Sequence, residues 1–176
     1  MIPILGYRQE HYMNYKDKFG IPMSVNPPTK YLTFGCWIYM VPQYKPKNIL
    51  MLGYCGGTTA GLIRLLYGNV PITAVDVDFY DNLYDVEFVK ADAREYVKTC
   101  RNYDAVIVDL YPKDSPHPCD FITSKEFVDN LGRISNYLIV NTSNNLDMSS
   151  YKSFECLTWI IPPGLSNKIY YFKVKD

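Results

Sequence analysis

The chain has 176 residues, enough for one domain that buries about two thirds of the surface its unfolded form exposes and too few for two comfortable ones. Lys plus Arg equals Asp plus Glu at 18 each, so no net positive field gathers nucleic acid or an anionic membrane, and neither is expected as a partner. The five cysteines, Cys36, Cys55, Cys100, Cys119 and Cys156, form no CxxC pair, which fits neither a disulfide framework nor a zinc site and points to a reducing, cytoplasmic setting.

Residues 1–30 mix Tyr, Lys, Pro and Gly without sustained periodicity, and the paired prolines of "VNPPTKY" (Val25 to Tyr31) cannot lie inside a helix. They read as an irregular lead-in to a single nucleoside-binding α/β domain over 31–176. No charged-then-apolar leader opens the chain, and its apolar runs stop well short of the roughly 18 to 20 residues that a membrane helix needs. "YLTFGCWIYMV" (Tyr31 to Val41) is apolar and ends at Pro42; a buried helix fits it slightly better than a strand.

Beyond Pro46 the pattern becomes regular. "NILMLG", "PITAVDV" (Pro71 to Val77), "VEFVKA" (Val86 to Ala91), "DAVIVDL" (Asp104 to Leu110) and "NYLIVNT" (Asn136 to Thr142) are short apolar runs bounded by turn residues, as expected of strands covered on both faces. Segments of helical spacing separate most of them: Thr59 to Tyr67, Ala93 to Arg101 and Ser124 to Ile134. This alternation predicts a mostly parallel central sheet with helices on both faces. "SFECLTWII" and "KIYYFKVK", joined around Pro162, Pro163 and Gly164, add a C-terminal antiparallel hairpin at the sheet edge. The connector "DFYDNLYDV" (Asp78 to Val86) is short for a crossover, which ordinarily takes a dozen residues.

In an open parallel sheet, ligands sit beyond the carboxyl ends of the strands, beside the turn after the first one. Here that turn is Gly53-Tyr54-Cys55-Gly56-Gly57. A dinucleotide fingerprint would need Gly at positions 53, 55 and 58, which hold Gly53, Cys55 and Thr58, and no Gly-Lys-Ser/Thr phosphate loop follows. The paired glycines let backbone approach a ligand, and Thr58 or Thr59 is placed to cap the next helix. Equally, they serve a tight strand-to-helix turn.

Three carboxylates at successive strand ends add weight. Asp76, beside Val77, lies about twenty residues after the turn, where a carboxylate can accept both ribose hydroxyls. Asp92, followed by Ala93, is placed for a carboxylate and a neighbouring backbone amide to read an adenine edge; with Glu95 it also has the spacing of a capping box. Asp109, two residues before Tyr111, stands where the chemistry is expected and can orient or deprotonate an amine nucleophile.

With these residues in place the chain resembles the class I S-adenosylmethionine-dependent methyltransferase fold, a Rossmann-like α/β architecture, and within it the spermidine synthase group. "KPKNILMLGYCGGTTAGLI" is similar to that group's glycine loop, "ITAVDVD" to its ribose-binding strand end, "VEFVKADAREYV" to its adenine-binding segment and "YDAVIVDLYP" to the strand bearing its catalytic aspartate. The resemblance implies S-adenosylmethionine, or its decarboxylated form, held by Gly53, Tyr54, Cys55, Gly56, Gly57, Asp76, Val77, Asp92 and Ala93. It implies catalytic roles for Asp109 and Tyr111. The turn lacks the aspartate that holds the polyamine in that group, and no second aspartate follows Asp109-Leu110-Tyr111-Pro112.

"NPPT" (Asn26 to Thr29) is similar to the Asn-Pro-Pro-aromatic loop of amino-methylating enzymes, though a plain proline turn explains it better. His11 and His117 are too few and too far apart to suggest a metal centre. Three readings follow: a methyltransferase on a small or peptide-like nucleophile; an aminopropyltransferase with a diamine held by Asp109, Asp114 and Asp120; and a non-catalytic domain retaining the fold. The substrate is a small molecule on either enzymatic reading, and aromatic-rich edges allow a homodimer.

Overall fold

The computed structural model describes residues 35–78 and 84–175. The lead-in over 1–30, the "NPPT" stretch and most of the short connector after Asp78 lie outside these residues. Seven strands run in chain order as β1 (Ile49–Leu52), β2 (Ile72–Asp76), β3 (Glu87–Lys90), β4 (Ala105–Val108), β5 (Tyr137–Ser143), β6 (Phe154–Ile160) and β7 (Asn167–Val174). Three helices accompany them, α1 (Thr58–Tyr67), α2 (Ala93–Thr99) and α3 (Lys125–Ile134). All seven strands and all three helices coincide with the segments expected from the sequence. The run ending at Pro42 is reduced to a 3₁₀ turn over Trp37–Met40, for Gly35 and Cys36 interrupt it with a bend.

The strands form one sheet in the order β3-β2-β1-β4-β5-β7-β6. The first five are parallel, and β7 pairs antiparallel with both β5 and β6. The hairpin therefore stands at the edge, as expected, but its later strand takes the inner place. Strand order reverses beside β1, between the chain going outward to β3 and the chain returning through β4, and there a parallel sheet opens a crevice.

Alternation along the strands sorts the core into two layers. Ile49, Met51, Ile72, Ala74, Ala105 and Ile107 face α1 and the 3₁₀ turn, while Leu50, Leu52, Val75, Val106, Val108, Leu138 and Val140 face α2 and α3. Helix α3 shows why its sequence folds this way: Phe127, Val128, Leu131 and Ile134 fall at 3.6-residue spacing and are all buried, each contributing about 1.5–3 kcal/mol of apolar burial. Ser124 precedes the helix rather than entering it, its hydroxyl accepting the Phe127 N–H. Strand β6 is the outer edge, with Leu157 and Trp159 exposed; the Lys168 ammonium lies 4.1 Å from the Trp159 ring centroid and 4.8 Å from that of Tyr170. No helix among the described residues is long and apolar enough to cross a membrane.

The junction of β1 and β4 depends on a missing side chain. Gly53 has φ +88°, and a Cβ built there would stand 2.0 Å from the Asp109 carbonyl oxygen. Gly164 has φ +75° with open space around its missing Cβ. Gly53→Ala is therefore expected to lower unfolding free energy by at least ~2 kcal/mol, and Gly164→Ala by only ~1 kcal/mol. Urea denaturation of both variants checks this; equal losses would mean that the close approach at Gly53 is not a constraint.

Candidate functional site

The carboxyl ends of β2, β1 and β4 are held in step. Gly53 N–H donates to the Val75 carbonyl at 2.9 Å, and Asp109 N–H donates to the Leu52 carbonyl at 2.8 Å. The chain then curls so that Tyr54 N–H and Cys55 N–H both donate to Asp76 Oδ2, at 2.8 and 3.0 Å, while Asp78 N–H reaches Asp76 Oδ1 at 3.2 Å. Asp76 thus pins the turn and retains about one of a carboxylate's roughly four acceptor positions. Cys55 takes a left-handed backbone at φ +46°, strain of the kind held where surrounding structure over-determines it.

One expectation about this turn is corrected. The N-cap of α1 is Gly57, at φ +75° with no side-chain hydrogen bond, and Thr58 and Thr59 lie buried in the first turn instead of capping it. Tyr54 sends its ring into the core, edge-on to Phe88 at 5.6 Å between centroids, and does not line the cavity. Gly57 is required beneath that ring, since a Cβ there would fall 2.4 Å from the Tyr54 hydroxyl.

Above the strand ends opens a cavity of about 1000 Å³. Of the residues anticipated from the sequence, Gly53, Cys55, Asp76, Val77, Asp92, Ala93, Asp109 and Tyr111 line it; Tyr54, Gly56 and Gly57 do not. Asp92 caps α2 by accepting Arg94 N–H at 2.8 Å. The reciprocal half of a capping box is absent from Glu95, whose carboxylate pairs with Lys98 at 2.9 Å. Asp92 also meets the Arg94 guanidinium, with Nε 3.1 Å from each carboxylate oxygen, and hydrogen bonding to Arg94 holds its carboxyl below the usual range. That guanidinium lies 4.9 Å from the centre of the Phe121 ring. Ala93 opens the first turn of α2, in which the Glu95 N–H also donates to Asp92, through its carbonyl at 3.1 Å.

The other end of the cavity holds a polar chain that sequence reading did not assemble. Asn141 Nδ2 donates to Asp109 Oδ1 at 2.8 Å, Asn167 Nδ2 donates to Asn141 Oδ1 at 3.0 Å, and the same Asn167 amide donates to the Tyr111 hydroxyl at 3.3 Å. Asp109 and Tyr111 are thereby joined through two asparagines from β5 and β7. Asn141 also donates to Cys36 Sγ at 3.7 Å. Burial pushes the Asp109 carboxyl up to about 6, the Asn141 hydrogen bond opposes this, and the charge of Asp76 adds to it. Burial likewise pushes up the Cys36 thiol and the Tyr111 phenol, with the Asp109 charge adding in each case. Asp114 and Asp120, expected to join Asp109 around a diamine, do not line the cavity; Asp78 does, paired with Lys113 at 2.7 Å. Among the described residues, no cluster of three or more His, Cys, Asp or Glu side chains stands ready for a metal ion.

No family model and no curated protein matches the chain. Solved structures do. The crystal structure of human methyltransferase-like protein 13 in complex with SAH is similar with a TM-score of 0.64 at 15% identity, over 86% of this chain and 83% of that one. A probable spermidine synthase from Corynebacterium glutamicum ATCC 13032 is similar with a TM-score of 0.67 at 20% identity, over 88% of this chain and 70% of that one. The fold is that of the class I S-adenosylmethionine-dependent methyltransferases. Within this methyltransferase fold, the glycine turn, Asp76 and Asp92 occupy the successive strand ends anticipated from the sequence.

Asp109 carries a measurable cost of charge. Its carboxyl sits above the ordinary value of 3.8, at about 6, so the penalty for ionising it is absent below pH 3.8, grows through that window and is complete above pH 6. Asn at this position keeps an acceptor for Asn141. Asp109→Asn should therefore leave stability nearly unchanged at pH 4 and raise it at pH 8, by up to about 3 kcal/mol at 1.4 kcal/mol per pK unit. Urea midpoints of both proteins at the two pH values decide the matter, and a gain of equal size at both would contradict it.

Proposed function

We propose that the protein is an S-adenosylmethionine-dependent methyltransferase acting on a small or peptide-like nucleophile, with Asp109 and Tyr111 at the site of transfer. The observation that carries this reading is the convergence of two differently built ends in one cavity. One end offers Gly53, Cys55, Asp76, Val77, Asp92 and Ala93; the other offers Asp109 and Tyr111, tied through Asn141 and Asn167. A volume of about 1000 Å³ is at the upper end of small-molecule sites and accommodates a nucleoside together with an acceptor.

The residues fit the adenosyl group. Gly53 brings backbone to the cavity wall, Asp76 keeps an acceptor position for a ribose hydroxyl, and the Ala93 backbone at the start of α2 borders the cavity where a heterocycle edge would lie. When bound, the sulfonium supplies a methyl carbon open to in-line displacement. The chain's own contribution is orientation and desolvation: Leu110, Pro112, Pro116 and Leu165 line the cavity and keep water from the nucleophile. Asp109 accepts a proton from that nucleophile, and its carboxyl near 6 places it ionised yet basic at neutral pH. Asp114 and Asp120 stand outside the cavity, which favours methyl transfer over aminopropyl transfer to a diamine.

Titration calorimetry with S-adenosylmethionine, its decarboxylated form and S-adenosylhomocysteine tests the reading. The carboxylated ligand and S-adenosylhomocysteine should bind, and Asp76→Asn, which keeps an acceptor for the turn but loses the carboxylate, should weaken both at least tenfold. Preference for the decarboxylated ligand would favour aminopropyl transfer, and no binding at millimolar ligand would overturn the enzymatic reading.

A further inference from the structure

Among the described residues four carboxylates line the cavity, Asp76, Asp78, Asp92 and Asp109, and their hydrogen bonds separate them sharply. Asp76 holds the turn through three backbone N–H groups. Asp78 is neutralised by Lys113 at 2.7 Å. Asp92 is committed to the α2 N-terminus and the Arg94 fork. Asp109 alone takes a single hydrogen bond, from Asn141 to Oδ1; its Oδ2 accepts none from any described residue. A carboxylate oxygen without a partner in a largely apolar enclosure is costly unless a ligand supplies a donor or a cation.

The surroundings of that oxygen limit what the donor looks like. The Tyr111 hydroxyl already accepts from Asn167, which leaves it one further lone pair and its own proton. Trp37 and Leu165 also line the cavity. The Trp37 ring is drawn so close to Gly35, at φ +90°, that a Cβ there would lie 2.3 Å from it. An aromatic face fixed in this way suits a cation or an apolar body. The two cationic side chains on the cavity wall among the described residues, Lys113 and Arg94, are spent on Asp78 and Asp92, so neither is free to attract an anionic acceptor.

Resting on the methyltransferase reading above, we infer that the acceptor is a monoamine: one nitrogen seated at Asp109 Oδ2 and the Tyr111 hydroxyl oxygen, carried on an apolar or aromatic body lying along Trp37 and Leu165. Among the described residues the cavity supplies one unspent carboxylate oxygen, which matches one ammonium group and offers a second no counter-charge. The amine enters as the ammonium and gives one proton to Asp109 Oδ2; this frees the nitrogen lone pair, and the proton leaves Asp109 for solvent when the site reopens. An alcohol offers a single hydrogen and no charge to Asp109, and a carboxylate is repelled by it.

The test is calorimetric titration with 2-phenylethylamine, 2-phenylethanol, 3-phenylpropionate and putrescine, on the free protein and on protein saturated with S-adenosylhomocysteine. 2-Phenylethylamine should bind at least tenfold more tightly than each of the other three. In Asp109→Asn its advantage over 2-phenylethanol should disappear, and Tyr111→Phe should lose a few-fold. Both variants are confirmed as folded by circular dichroism. Equal or tighter binding of the alcohol or the acid, or no binding of the amine, overturns the monoamine inference; tighter binding of putrescine overturns it in favour of a second anionic subsite. Failure of S-adenosylhomocysteine to bind counts against the methyltransferase reading alone, because the amine series on the free protein reads the Asp109 subsite directly.

Discussion

The carboxylate of Asp76 accepting the amides of Tyr54 and Cys55 is the contact on which the cavity rests. It draws the turn after β1 over the end of β2 and helps offset the left-handed backbone of Cys55. The geometry depends in turn on Gly53, which lets β1 and β4 end side by side so that Asp76 and Asp109 open onto one space. A charged side chain thus shapes the backbone of the site before any ligand arrives. The same carboxylate raises the cost of ionising Asp109, so the two ends of the cavity are electrostatically linked.

Much of the fold was legible because buried parallel strands have to be apolar at every position and their helices amphipathic. β1, β2, β4 and α3 carry those patterns without ambiguity. Strand-end aspartates were legible for a related reason: a polar residue closing an apolar run is where a parallel sheet meets its ligand. What was not legible at the turn was side-chain direction. Nothing in "GYCGGTT" tells whether Tyr54 faces the cavity or Phe88, or whether Thr58 caps a helix that Gly57 already begins.

Asn141 and Asn167 were out of reach for a different reason. Asn141 is a polar residue near the end of the apolar run "NYLIVNT", a signal in itself, but its meaning depends on a partner 26 residues away. The partner arrives through register: Asn141 stands opposite Ile169 in the β5–β7 ladder, and Asn167, two residues from Ile169, lies on the same face at the diagonal. No local pattern encodes that diagonal, nor the Asn167 contact with Tyr111 across 56 residues.

The strand order has a temporal side. β7 follows β6 in the chain but lies between it and β5, so on a growing polypeptide β6 emerges before the strand it pairs with and waits for its successor. The βαβ half that carries the turn and Asp76 is built from near neighbours, whereas Asn167 belongs to the strand that closes the sheet last. A nascent chain therefore acquires the glycine-turn end of its cavity before the end that grips Tyr111, and the two halves become one cavity only when that inner strand is laid in.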